Sequence, residues 1–202
     1  MSIQESPSPA GRPRDPEVER SILTATQDLL IEHGYPGTTI AAVAARAHCG
    51  KSAIYRRWGT KAELVVAAVS DLQVAAEVPD TGDLRDDLLR AALHFAATDE
   101  RSGPVLASLL SEIGRDRELY DVAYRLIGGP PVAAIETVIR RAIERGQVSP
   151  EAPVTLVAGI VPTAAFGSIS LRKRSLEPQA VVDLVDRVLL PALRAAPPPS
   201  GT

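Results

Sequence analysis

From residue 15 to residue 195 the apolar side chains recur at helical spacing, and no run alternates apolar with polar residues long enough to demand a sheet. Such a pattern predicts an all-α protein. With 202 residues, at roughly 100–200 per domain, the chain has room for one or two domains and a substantial core. Residues 1–14 and 196–202 are rich in Pro, Ser and Gly; they bury too little apolar surface to offset ordering entropy and are expected as mobile tails.

The first helix is expected to start at Asp15 as cap with Pro16 in the first turn, to carry Ile22, Ala25 and Leu29 on one face, and to end at Gly34. Thr39 can cap a second helix of about two turns, striped by Ile40, Val43, Ala44 and Ala47. A helix that short needs tertiary packing to persist. After His48-Cys49-Gly50 a third short helix spans Lys51 to Trp58, with Ile54 and Trp58 as its buried stripe. Thr60 and Glu63 then form a capping box that opens a longer helix to about Ala76. Six further helices are expected at about 83–99, 103–114, 117–128, 131–146, 152–171 and 178–195. Gly128-Gly129-Pro130-Pro131 should interrupt this region, and Pro162 should kink the 152–171 helix.

From His33 to Ala62 there is no acidic residue, whereas Arg46, Lys51, Arg56, Arg57 and Lys61 supply five positive charges. The whole chain carries a net charge of −3, so the asymmetry is local. Two short helices joined by a tight turn under such a charge window describe a helix-turn-helix unit. The third helix presents Lys51, Ser52, Ala53, Tyr55 and Arg56 on the side away from Ile54 and Trp58, where it can enter a major groove. Ser52 and Ala53 are small enough for close approach to base edges, and Tyr55 and the cations can reach phosphates or bases. Thr39, at a helix N-terminus, can cap and also donate to a phosphate. Lys61 begins its helix, where a cation is electrostatically disfavoured unless an anion lies nearby.

The residues Ile22-Leu23-x-Ala25-x5-Ile31-x2-Gly34-Tyr35, Thr38-Thr39-Ile40-x2-Val43-Ala44 and Lys51-x2-Ile54-Tyr55-Arg56-Arg57-Trp58-x2-Lys61-x2-Leu64 resemble the DNA-binding domain of the TetR family of transcriptional regulators. The resemblance covers about a quarter of the chain. It implies a helical homodimer whose N-terminal helices, 15–62, bind operator DNA and whose C-terminal bundle, 63–195, binds a small-molecule effector and dimerises. By motif position it implies DNA contacts from Thr39, Lys51, Ser52, Ala53, Tyr55, Arg56 and Lys61. Two positions depart from the family pattern: His48 stands where the interhelical turn usually has Gly, and Gly50 where Ser or Thr is common. A histidine there is strained if the turn needs positive φ. The basic segment Gly11-Arg12-Pro13-Arg14 is a candidate minor-groove arm.

In the C-terminal bundle His94, Phe95, Glu112, Tyr120, Tyr124 and Phe166 are the bulky or polar members of otherwise aliphatic helices, and are the candidate effector-pocket residues. Dimerisation is expected on the last two long helices, whose Leu, Val, Ile and Ala content exceeds one core stripe. One cysteine, Cys49, and three scattered histidines give no basis for a disulfide, a metal site or a cofactor. With no nucleophile–base pair or Gly-rich phosphate loop, an enzyme is not expected. Without a signal peptide or a run of about 18 uninterrupted apolar residues, a cytoplasmic protein with no membrane partner is expected. The competing reading is a helical small-molecule-binding or scaffold protein with a vestigial helix-turn-helix. Such a protein has no reason to exclude acids from residues 33–62.

Overall fold

A computed structural model describes residues 16–96 and 99–195, and the expectations for Asp15, the Gly11–Arg14 arm and both tails lie outside them. Among the described residues the secondary structure is helical, with a single isolated bridge between Ala96 and Leu176. The all-α expectation holds.

Helix α1 (Pro16–Gly37) is interrupted at Gly34, where φ is 67° and ψ is −179°, so regular helix stops at the glycine that marked its end in the sequence. Beyond it the Thr38 hydroxyl donates to the Gly34 carbonyl at 2.8 Å and closes the turn into α2 (Ile40–Arg46). Helix α3 (Lys51–Tyr55) ends three residues earlier than expected, because Arg57 N–H turns to the Ile54 carbonyl at 2.9 Å. Thr60 caps α4 (Lys61–Ser70) by accepting the Glu63 N–H at 3.2 Å, and the Glu63 carboxylate reaches back to the Gly59 N–H at 2.7 Å. This is a capping box displaced by one residue. Helix α4 stops at Ser70, short of Ala76, because Leu72 and Gln73 bond back to Val69 and Ser70 in tightened i→i+3 turns.

The rest comprises α5 (Leu84–Ala92) with a 3₁₀ turn over Leu93–Phe95, then α6 (Ser102–Glu112), α7 (Arg117–Ala123), α8 (Gly129–Glu144), α9 (Val154–Ala158), α10 (Ile160–Arg172), α11 (Pro178–Leu184) and α12 (Leu190–Arg194). The expected break or kink at Gly128–Pro131 takes the form of a π turn: α7 continues into α8 without a gap, and Gly129 N–H donates to the Tyr124 carbonyl. A second π turn joins α11 to α12, with Leu190 N–H donating to Val185, immediately before Pro191. In both places the widened turn takes up the missing proline donor and ring clash that a regular turn does not tolerate. The 152–171 helix breaks at Gly159, three residues before Pro162.

Three apolar clusters hold these elements. The first joins α1 to α4 around Ile22, Leu29, Val43, Ile54 and Leu64. The second joins α1 and α4 to α6 and α7 through Leu30, Val65, Val66, Val105, Leu109 and Leu119. The third fills the space between α5, α8, α9 to α12 with Leu88, Ile135, Ile139, Val161, Val181 and Leu189. Helix α4 places Leu64 and Ala68 in one cluster and Val65, Val66 and Val69 in another, so it is shared between the two.

Candidate nucleic-acid interface

Helix α2 begins where the Thr39 hydroxyl accepts the Ala42 N–H at 3.1 Å. At its end His48 N–H donates to Ala45 at 3.3 Å and Cys49 N–H to Ala44 at 3.0 Å, with His48 at φ 50°. This pair of bonds usually has glycine at the left-handed position, so the histidine holds the turn at a steric cost of ~1–2 kcal/mol. Cys49 packs against the head core, and burial pushes its thiol pKa up, which suits a structural residue. The turn delivers α3 with Ile54 fully buried and Lys51, Ser52, Tyr55 and Arg56 exposed; Ala53 is half-buried beside them.

The five cations of the acid-free window divide into two sets. Arg46 makes a two-pronged ion pair with Glu32 at 2.8 and 2.6 Å, and that hydrogen bonding holds the Glu32 carboxyl below its ordinary range. The Arg57 side chain is only 8% exposed, donates to the Ala53 carbonyl at 3.1 Å and lies 3.5 Å from Glu19. Lys61 donates to the Tyr35 carbonyl at 2.5 Å, and its ammonium lies 3.9 Å from the Tyr35 ring centroid. Burial depresses its pKa, with Asp116 and Glu112 opposing. Lys51 and Arg56 make no ion pair or hydrogen bond through their side chains among the described residues. Thus the sequence window overstated the outward charge: three of its cations bond within the chain, and the exposed, unpaired ones are Lys51 at the start of α3 and Arg56 at its C-cap.

Sequence reasoning missed the bonds that fasten this head to the bundle. Buried Gln27 donates to the Ala68 carbonyl at 3.0 Å and to Asp71 at 3.2 Å, while Arg101 pairs with Asp28 at 2.7 Å. Tyr35 donates to Asp116 at 3.3 Å; Asp116 also caps α7 through Leu119 N–H at 2.9 Å. Burial and the Asp116 charge raise the Tyr35 phenol pKa, so it stays protonated as donor. The available signal was Gln27, a polar residue with Leu23, Leu30 and Ile31 around it at helical spacing on the first helix.

In the bundle an apolar cavity of about 340 Å³ lies between the 3₁₀ turn after α5, α6, the π turn after α7, and α10. Of the sequence candidates, His94, Phe95 and Phe166 line it. Glu112, Tyr120 and Tyr124 do not. The inward stripe of α7 is Leu119, Val122 and Ala123, which turns Tyr120 and Tyr124 outward to stack on each other at 6.0 Å. Glu112 ends α6 beside Arg115, 3.8 Å away. Gln73, Leu106, Leu110 and Thr163 line the cavity and had no distinguishing sequence signal.

A short exposed helix seated by a tight turn on two others, and carried by a helical bundle, is the architecture of a helix-turn-helix DNA-binding protein. Residues 22–68 match the model for bacterial regulatory proteins of the tetR family, and residues 78–188 match the Tetracyclin repressor-like C-terminal domain. An uncharacterized HTH-type transcriptional regulator of Mycobacterium tuberculosis is 35% identical over 91% of this chain and 94% of its own length. A protein of Mycobacteroides abscessus named as the DNA-binding transcriptional repressor TetR is 30% identical over 86% of this chain and 93% of its own. The crystal structure of the TetR family transcription regulator SCO0332 superposes with a TM-score of 0.62 at 26% identity, covering 90% of this chain and all (100%) of that one. The chain belongs to the TetR family and is a DNA-binding transcriptional regulator, not an enzyme.

Proposed function

We propose that the protein is a homodimeric repressor that leaves a palindromic operator when a small molecule fills the cavity in its bundle. The observation that carries the DNA side is the unpaired, exposed Lys51 and Arg56 flanking Ser52, Ala53 and Tyr55 on α3. These five residues meet the major groove, Thr39 meets a phosphate at the start of α2, and Lys61 uses its ammonium N–H groups not taken by Tyr35 for another phosphate.

A dimer is supported by what α10 to α12 leave uncovered. Leu171 and Val188 are exposed, as is Leu156 on α9. The stretch Val154–Arg172 has mean hydropathy 1.8, enough by length and composition to cross a membrane, yet only 33% of it is buried. Its break at Gly159 and its packing on α6 and α8 suit a helix whose outer face meets a second copy. Two copies set two reading helices one DNA turn apart, about 34 Å, and so address a palindrome that one five-residue helix cannot. The Mycobacteroides abscessus relative, named a repressor, supports that sign of regulation. Such a regulator works in the cytoplasm, where its DNA is.

Release follows if the ligand binds better to a spacing of the heads that mismatches the operator. The α6–α7 corner connects the two sites: α6 lines the cavity through Leu106 and Leu110, and Asp116 beyond its end holds Tyr35 of the head. The test is binding of the purified protein to its own upstream DNA over a salt series, with a scrambled duplex as control. Tight, sequence-dependent binding with a steep negative salt slope is expected; equal, weak binding to both duplexes, repeated on operators selected from random DNA, would reject it.

A further inference from the structure

The cavity in the bundle carries chemical information about what fills it. No Asp, Glu, Lys or Arg is among its described lining residues, nor among those of the small neighbouring cavity that shares His94 and Phe95. A charged molecule there would surrender its hydration with no countercharge in return, a cost of several kcal/mol per ion. Aliphatic Leu106, Leu110 and Ile127, with the ring of Phe166, instead offer contact to hydrocarbon or aromatic surface.

Gln73, His94 and Thr163 are the polar side chains of that wall, and His94 is the most buried of them. His94 is nine-tenths buried, and its Nδ1 lies 2.6 Å from the Val74 carbonyl. A carbonyl only accepts, so Nδ1 carries the proton. Burial holds the imidazole pKa below 6.5, which keeps the ring neutral at pH 7 and leaves Nε2 as a bare acceptor. Nε2 has no partner among the described residues and is not among the atoms sealed from solvent, so it keeps exposed surface on a side chain that lines both cavities. The edge-on contact with Phe95, 5.1 Å between centroids at 86°, fixes the plane of the ring. An acceptor that solvent can still reach offers an incoming O–H or N–H a hydrogen bond that orients it within an otherwise apolar wall.

We infer that the effector is an uncharged, largely apolar molecule carrying a hydroxyl or N–H group, which donates a hydrogen bond to Nε2 of His94 while its apolar part lies against α6 and α10. The inference rests on the reading of this cavity as the effector site. It excludes occupants that must place a charged group against this wall. Val74 follows α4, so a ligand held by His94 also bears on the segment leading back to the head.

Three matched probes test it on the full-length protein by fluorescence titration: 1-naphthol, its methyl ether 1-methoxynaphthalene, and 1-naphthoate. The expected order is naphthol over methyl ether by about tenfold, the worth of one hydrogen bond, with naphthoate weakest. His94→Phe keeps an aromatic wall without the acceptor and should bring the naphthol-to-ether ratio to about one. Because the ratio is taken within one variant, a general loosening of the fold does not mimic the result; Leu110→Trp, which fills the cavity without touching His94, should weaken naphthol and ether alike. Equal binding of naphthol and ether by the unaltered protein, preference for naphthoate, no binding of any probe, or a ratio unchanged in His94→Phe would each overturn the inference. The effector reading has its own readout in operator release. If naphthol binds through His94 without releasing operator DNA, the ligand chemistry stands and the repressor-release reading fails; release by naphthoate and not naphthol keeps that reading and overturns the chemistry.

Discussion

Both described prolines of the head mark helix boundaries, whereas two of those in the bundle are absorbed inside helical stretches. Pro16 occupies the first turn of α1, and Pro36 follows the left-handed Gly34, so each lies where the chain starts or stops a helix. Pro130 and Pro191, by contrast, sit inside continuous helical stretches, each just after a π turn. In the head local chemistry sets these ends: Pro16 needs no N–H in the first turn, and the positive φ of Gly34 stops the regular helix before Pro36. In the bundle Leu119, Val122, Ile135 and Ile139 on one stretch, and Val181, Val185, Leu189 and Leu193 on the other, are buried on both sides of the π turn. That burial keeps the two segments aligned through a wide turn that neither would adopt alone.

The largest test of this contrast is a cavity in the head. Ile54→Ala removes the buried anchor of a five-residue helix, and a buried Ile→Ala change costs ~2–5 kcal/mol. DNA binding should be lost, while the bundle, with its separate core, keeps its helicity by circular dichroism. Cooperative loss of helicity throughout would mean that the shared α4 makes head and bundle one folding unit.

A smaller effect is expected at Asp87, which ties the bundle's entry loop to the end of α8. Its carboxylate, buried, accepts the Thr81 N–H at 2.8 Å and hydroxyl at 2.7 Å, and lies 3.7 Å from Arg145. Burial works against the charge, but the Thr81 bonds and Arg145 prevail and hold the pKa below 3.8. The stabilisation is therefore complete above about pH 3.8 and is lost as the pH falls through the lowered value. Asp87→Ala should cost ~1–3 kcal/mol at neutral pH and remove that part of the acid sensitivity in thermal melts. A melting temperature equal to that of the unaltered protein at pH 7 would show the loop to be held by other bonds.

At the interface the contrast lies between cations that face outward and cations bonded within the chain. Arg56→Ala or Tyr55→Ala should weaken specific DNA binding by ~1–3 kcal/mol with unchanged helicity and dimer mass. Arg46→Ala, which removes the ion pair to Glu32, should change specificity far less. If both arginine variants lose specificity alike, Arg46 exchanges Glu32 for DNA on binding.

Helix starts were legible where a side chain caps them: Thr39, Thr60, Asp83 and Asp116 each accept an N–H in the first turn of the helix they begin. The reading helix was legible too, since Ile54 fixes which side faces out. Ends were less so. Helix α4 stops six residues early, with the Val74 carbonyl beyond it bonded to His94, a residue twenty positions away on another element. The pocket was half legible for a related reason. An aromatic in a helix can be noticed, as His94, Phe95 and Phe166 were, but whether it turns inward depends on the stripe around it. Tyr120 and Tyr124 lie on the outer side of α7, and the aliphatic lining of Leu106 and Leu110 has no mark that sets it apart from core.

The finest test concerns Lys61, which belongs to both regions. Its ammonium is bonded to the Tyr35 carbonyl and lies over that ring, and the Tyr35 hydroxyl is bonded to the α7 cap Asp116. If it also meets a phosphate, Lys61→Ala should weaken all DNA sequences alike and flatten the salt slope by about one counterion per half-site. If it only fastens α4 to Tyr35, the slope stays the same and the loss appears as a lower melting temperature and a changed response to effector. Lys61→Arg separates the two further. A guanidinium keeps the charge for a phosphate, but its planar fork does not fit a seat shaped for one ammonium over a ring, so it should restore the salt slope without restoring the melting temperature.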